Sequence, residues 1–136
     1  MRAAIGVGSQ PFADGNLAVE LALVGDVMYS QAPRLEALLD ARLKVVIYNG
    51  ALDLICGAPL TERYLPRLDW RGAADWRAAR RVQWHDAAGG TVAGYARGAA
   101  NLLQVVMRGA GHMAPFDQPA RALDLITRFV EGRAFD

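Results

Sequence analysis

Few side chains in this sequence could carry acid–base or nucleophilic chemistry, and two of them sit in loops of distinctive composition. His112 lies in Gly109-Ala110-Gly111-His112-Met113-Ala114-Pro115-Phe116-Asp117-Gln118-Pro119, directly after the apolar run Leu102-Leu103-Gln104-Val105-Val106-Met107. Asp53 lies in Tyr48-Asn49-Gly50-Ala51-Leu52-Asp53-Leu54-Ile55-Cys56, directly after Lys44-Val45-Val46-Ile47. Histidine can take and return a proton near neutral pH. A carboxylate that accepts its ring N–H fixes the tautomer and stabilises the imidazolium that forms. Only His85 and His112 are present, so the choice of a general base is narrow. Taken alone, Asp53 could also be a turn or cap residue and His112 a structural histidine.

The nucleophile side is much poorer. Ser9, in Gly8-Ser9-Gln10-Pro11, and Ser30, in Tyr29-Ser30-Gln31-Ala32, are the only serines, and neither sits in a Gly-x-Ser-x-Gly elbow. Cys56 is the only cysteine, which rules out an intrachain disulfide. It can be read as a small buried hydrophobe or as part of a site. Asp53, Cys56 and His112 show no metal-ligand spacing, so neither a metal site nor a cofactor is expected.

Charge excludes other classes. Fifteen basic and 14 acidic residues leave a net charge of +1, with no electrostatic case for nucleic acid or an anionic membrane. The local cluster Arg77, Arg80 and Arg81 reads as a solvated helix face before an anion site. Leu17 to Tyr29, the most apolar stretch, is broken by Glu20 and Asp26, well short of the roughly 18 apolar residues of a membrane span. Met1 to Ser9 lacks the apolar core of a signal peptide. Hydrophobic residues make up 53% of the 136, enough for a core.

Several elements must position the two loops. Ser9 to Asn16 reads as a loop and Leu17 to Leu23 as a helix. A helix from Pro33 carries leucines at 35, 38, 39 and 43 on one face. Val45 to Tyr48 reads as a buried strand, Pro59 to Leu65 as a helix ending or kinking at Pro66, and Asp69 to Arg81 as a polar surface segment with tryptophans. Val82 to Trp84 and Thr91 to Ala96 flank a turn as a hairpin, and Asn101 to Arg108 is a second buried strand. The last helix, Pro119 to Glu131, places Ala122, Leu125, Ile126 and Phe129 on one face and stops at Gly132. This order predicts an α/β fold with helices over a mostly parallel sheet and one hairpin. A sheet this small leaves an edge exposed unless more chain covers it, and self-association through that edge is the expected consequence. Parallel neighbouring strands would bring Asp53 and His112 to the same carboxyl edge. Asp before His is also the order that follows the nucleophile in α/β-hydrolases.

The two loops together resemble the C-terminal third of the serine carboxypeptidases, a lysosomal, vacuolar and secreted family of α/β-hydrolases. The family's aspartate loop reads Tyr-x-Gly-x-x-Asp and its histidine loop Gly-x-Gly-His-Met-x-Pro-x-Asp-x-Pro. The likeness extends through Ala4-Ile5-Gly6-Val7-Gly8, Leu60-Thr61-Glu62-Arg63, Leu68-Asp69-Trp70-Arg71-Gly72, Val92-Ala93-Gly94-Tyr95 and Arg121-Ala122-Leu123-Asp124-Leu125-Ile126, and is strongest to the vitellogenic-like branch. The resemblance implies that residues 1–136 form the C-terminal part of an α/β-hydrolase domain, acting on peptide or protein C-termini. It makes Asp53 and His112 the triad acid and base. Met113 then matches a residue lining the leaving-group side of the cleft, with a packing role as its other reading. Cys56 falls beside the acyl-side pocket. In the family, the serine elbow, the oxyanion hole and the clamp for the substrate carboxylate lie upstream, in a part absent from this sequence. The isolated chain is therefore expected to be inactive. The alternative is a non-catalytic pseudo-enzyme or binding fragment of the same fold.

Overall fold

The computed structural model describes residues 15–86 and 89–135, together with Gly6, Gly8, Ser9 and Pro11. Much of the expected loop from Ser9 to Asn16, the segment Ala4-Ile5 and the turn residues Ala87 and Ala88 lie outside the described residues. The chain divides into two compact units, residues 1–31 and 32–136.

The first unit holds α1 (Leu17–Val27). Asn16 caps it by accepting the N–H groups of Ala18 and Val19, which would otherwise lack intrahelical partners. The helix runs four residues past the expected Leu23, and none of its residues is buried.

The second unit contains α2 (Ala32–Asp40), β1 (Val45–Gly50), α3 (Ala58–Tyr64), α4 (Ala73–Ala78), β2 (Val82–His85), β3 (Val92–Ala99), β4 (Leu102–Met107), α5 (Ala114–Asp117) and α6 (Pro119–Glu131). α3 passes at Pro66 into a 3₁₀ turn, Leu65–Arg67, because proline has no N–H to continue the α ladder. α6 has its expected bounds. Gly132, at φ +70°, supplies the left-handed residue that ends it.

The sheet order is β1-β4-β3-β2. β1 and β4 pair in parallel, whereas β4–β3 and β3–β2 are antiparallel. The sheet is thus mixed, which corrects the expectation of a mostly parallel one. β3 and β4 are joined only through Ala100 and Asn101, with Ala100 at φ +52°, and so short a connection can only reverse the chain. From β1 the chain crosses through α3 and α4 to β2 at the far edge, and the antiparallel run β2-β3-β4 returns it to lie parallel beside β1.

β4 is interior to the sheet, and its alternate side chains feed two cores. Val105 and Met107 pack with Trp84, Ala93, Ala96, Ala110, Ala114, Leu125 and Phe135. Leu102 packs on the other face with Leu39, Leu65, Leu68, Trp70, Ala73 and Trp76. The expected surface segment Asp69 to Arg81 therefore contributes two buried tryptophans, a second correction. Ala73 and Trp76, three residues apart, face inward on a helix too short to show its period, while Asp75 and Arg77 remain outside. The Arg97 guanidinium lies 4.7 Å from the Trp76 ring centre and donates to the carbonyls of Ala79 and Arg77. β1 is only half-buried, as befits an edge strand.

Candidate active site

Register positions the two loops. Gly50 ends β1 opposite Met107, which ends β4, so the parallel strands release both chains side by side. Gly50 is buried where a Cβ would run into the carbonyl oxygens of Ala110 and Gly111, and only glycine admits so close a crossing. The N–H groups of Ala51 and Leu52 donate to the carbonyls of Met107 and Ala110, at 2.8 and 2.9 Å. These bonds stitch the aspartate loop to the histidine loop before either reaches its functional residue.

Asp53 is then fixed from three directions. Its Oδ1 accepts the N–H groups of Ile55 at 2.8 Å and Cys56 at 3.0 Å. Its Oδ2 lies 3.0 Å from His112 Nδ1. Asn49, buried on β1, donates from Nδ2 to the Cys56 carbonyl at 2.7 Å and closes the loop from below. The histidine loop has its own latches. Gly111 N–H donates to Asp117 Oδ2 at 2.7 Å, Gln118 Nε2 to the Gly109 carbonyl at 3.0 Å, and Arg121 Nη1 to the Arg108 carbonyl at 2.8 Å. Met113 accepts the first backbone bonds of α5, so His112 sits immediately before a helical turn.

The pair is asymmetric in exposure: the Asp53 side chain is 5% exposed and that of His112 56%. The Cys56 N–H is the chief cause holding the Asp53 carboxyl below its ordinary 3.8; burial opposes it, and the His112 and Ile55 bonds add to the lowering. Asp53 is accordingly ionised at neutral pH and acts only as an acceptor, which assigns the proton to Nδ1 of neutral His112. Nε2 keeps its lone pair for a proton from elsewhere. An anchored carboxylate beneath an accessible imidazole is the arrangement of an oriented general base.

The other sequence expectations divide. Cys56 is exposed, against the reading of it as a buried small hydrophobe. Its Sγ, an Asp53 carboxylate oxygen and a His112 ring nitrogen lie within 4.8 Å of one another, although their spacing along the chain matches no metal motif. Met113 is exposed beside His112, against a packing role. Arg77, Arg80 and Arg81 are exposed, with Arg81 paired to Glu62 and Arg77 donating to the Pro66 carbonyl. His85 lies on β2, at the far edge of the sheet. A concavity of about 290 Å³ bounded by Lys44, Asn101 and Phe129 opens at the opposite ends of β1 and β4 and touches none of the site residues. Sequence reasoning missed Asn49, Gly50, Asp117, Gln118 and Arg121 as supports. Asp117 had a signal in its place within the histidine motif, but which N–H it would hold had none.

A sequence profile described as serine carboxypeptidase matches residues 1–132. The chain belongs to the serine carboxypeptidase family. It is 44% identical over 137 residues to a human protein named probable serine carboxypeptidase CPVL, a match covering 100% of this chain and 28% of that protein. It is 45% identical over 135 residues to the venom serine carboxypeptidase of Apis mellifera, covering 99% of the chain and 28% of the relative. The vitellogenic carboxypeptidase of Aedes aegypti is 38% identical over 131 residues, covering 95% and 27%. The chain thus spans a little over a quarter of the length of these curated relatives. Among solved structures, a prohormone-processing carboxypeptidase from Saccharomyces cerevisiae superimposes with a TM-score of 0.75 at 23% identity, over 88% of this chain and 26% of that one. The fold is therefore that of part of an α/β-hydrolase, with its parallel pair β1–β4 bearing the two loops.

Proposed function

We propose that this chain supplies the acid–base half of a serine carboxypeptidase site and that the nucleophilic serine comes from sequence outside these 136 residues. The 3.0 Å pairing of Asp53 with His112, at the carboxyl ends of parallel neighbours, carries this reading. His112 Nε2 takes the proton from the serine hydroxyl as that oxygen attacks the carbonyl of the substrate's last peptide bond. It then gives the proton to the departing amino group of the C-terminal residue. In the second half, His112 takes a proton from water, the hydroxide so formed releases the peptide, and the proton returns to serine. Asp53 stays ionised throughout and orients the ring. Met113 lines the side of the leaving residue and Cys56 the acyl side, and the exposure of both supports these roles.

Peptide and protein C-termini are the substrates this reading assigns, and the secretory or lysosomal route is the compartment. The names of the relatives support both. Nucleic acid and membrane remain outside the reading. Among the described residues no helix is long and apolar enough to cross a membrane. Among the described residues β1 pairs on one edge only, which favours pairing of its other edge with further chain or with a second copy. As a second reading, a binding fragment of the same fold would use that edge without catalysis.

A blocked dipeptide tests the proposal. The chain alone is expected to release no C-terminal amino acid above buffer. Robust release by the chain alone, abolished by His112→Ala, would place the nucleophile within it and overturn the proposal. Reading the transcript upstream of Met1 for an in-frame Gly-x-Ser-x-Gly provides an independent check.

A further inference from the structure

We propose that Asp53, Cys56 and His112 form a binding site for a thiophilic divalent cation of the zinc class, and that its occupancy silences His112 as a base. The three ligand atoms come from two loops and already lie within 4.8 Å of one another. Around a tetrahedral zinc such atoms stand roughly 3.3–3.6 Å apart, given bond lengths of about 2.0–2.3 Å. Asp53 and His112 are at 3.0 Å and need part only slightly to admit the ion, while the exposed Cys56 thiol swings inward. Both fixed partners are held independently of any ion. Two N–H groups grip Asp53 Oδ1, so Oδ2, whose partner is His112 itself, can turn to the ion without unseating the carboxylate, and Asn49 fixes the Cys56 backbone through its carbonyl.

The donor set selects the ion. Thiolate and imidazole suit zinc, cobalt and their neighbours, whereas magnesium and calcium demand oxygen ligands. Three protein ligands leave one tetrahedral position for water, an open site reachable from solvent. On coordination the Cys56 thiol gives its proton to buffer. The ion binds His112 through Nδ1, the nitrogen 3.0 Å from Asp53 Oδ2, so the Nδ1 proton moves through solvent to Nε2. Nε2 then holds a proton where a base needs its lone pair, the Asp53 hydrogen bond is displaced, and the oriented base is lost.

Cobalt(II) is the probe. Titrated into the chain, it is expected to bind one ion per molecule, with a thiolate-to-cobalt charge-transfer band in the near ultraviolet and tetrahedral bands in the visible. Zinc should displace it and a large excess of magnesium should not. Cys56→Ser is expected to abolish the charge-transfer band. His112→Ala should weaken binding by more than about 100-fold, beyond the roughly 10- to 100-fold typical of losing an outer-shell partner, and His85→Ala should leave affinity unchanged. Cys56 and His112 are exposed, and unchanged circular dichroism confirms that their variants fold. Absence of the band, equal affinity in His112→Ala (a thiol acting alone) or displacement by magnesium each overturns the proposal. The readout involves no catalysis, so its failure is distinguishable from failure of the carboxypeptidase reading.

Discussion

Asp53 Oδ2 and His112 Nδ1 meet at 3.0 Å although 59 residues separate them in the chain. The meeting is built by backbone rather than by the pair itself. Parallel register aligns Gly50 with Met107, and a glycine at 50 lets the Ala110–Gly111 backbone cross over it. Two N–H groups fix the carboxylate through Oδ1, independently of the imidazole on Oδ2.

Asp53 titration reports which partner dominates. The Asp53 carboxyl in the folded chain should titrate below 3.8, followed by its carbon-13 resonance. A depressed carboxyl contributes stability that is complete above the unfolded value and is lost as pH falls through the folded one. The stability advantage of the native chain over Asp53→Asn, read from urea midpoints, should therefore be lost as pH falls through the folded carboxyl's titration, below 3.8. In His112→Ala the midpoint should rise yet remain below 3.8, because the Cys56 N–H is the larger cause. A native midpoint at or above 3.8 contradicts this account of the site.

Gly50→Ala sets a Cβ against two backbone carbonyls that cannot rotate away. The expected loss of stability is at or beyond the upper end of the usual ~1–3 kcal/mol for overpacking, read from chemical denaturation. Gly98→Ala meets the Leu103 Cδ1 methyl at 3.1 Å, which a rotamer shift can relieve, and should cost under about 1 kcal/mol. Equal costs would show that the crossing of the two loops is not tight.

Trp76→Ala removes a fully buried ring and the face on which the Arg97 guanidinium rests. A loss of about 3–5 kcal/mol is expected, as for other large aromatic truncations. A loss below about 1 kcal/mol would return the Asp69–Arg81 segment to the surface role its sequence suggested.

What the sequence made legible depended on how local the signal was. β4 and α6 announce themselves through an unbroken apolar run and through the Pro119 and Gly132 boundaries. Asp53 and His112 were readable because each sits in a loop with marked glycine and motif residues. β3 was read only to Ala96 because Arg97 and Gly98 interrupt its apolar pattern, which hid its pairing with β4 and the mixed character of the sheet. Trp70 and Trp76 looked exposed because polar neighbours surround them along the chain, and only tertiary packing turns them inward. The approach of Cys56 to His112 follows from β1–β4 register and the Asn49 bond, and no spacing along one loop encodes either.

The roles of Asp53 and His112 are tested by joining this chain, in frame, to an upstream serine carboxypeptidase segment carrying the Gly-x-Ser-x-Gly elbow, and measuring release of C-terminal amino acid from a blocked dipeptide. The joined protein should be active, His112→Ala should remove nearly all turnover, and Asp53→Asn should lower kcat by about 10⁴-fold, as loss of the orienting carboxylate does in other triads. Turnover that survives both substitutions would contradict the assignment of His112 as the base and Asp53 as its orienter.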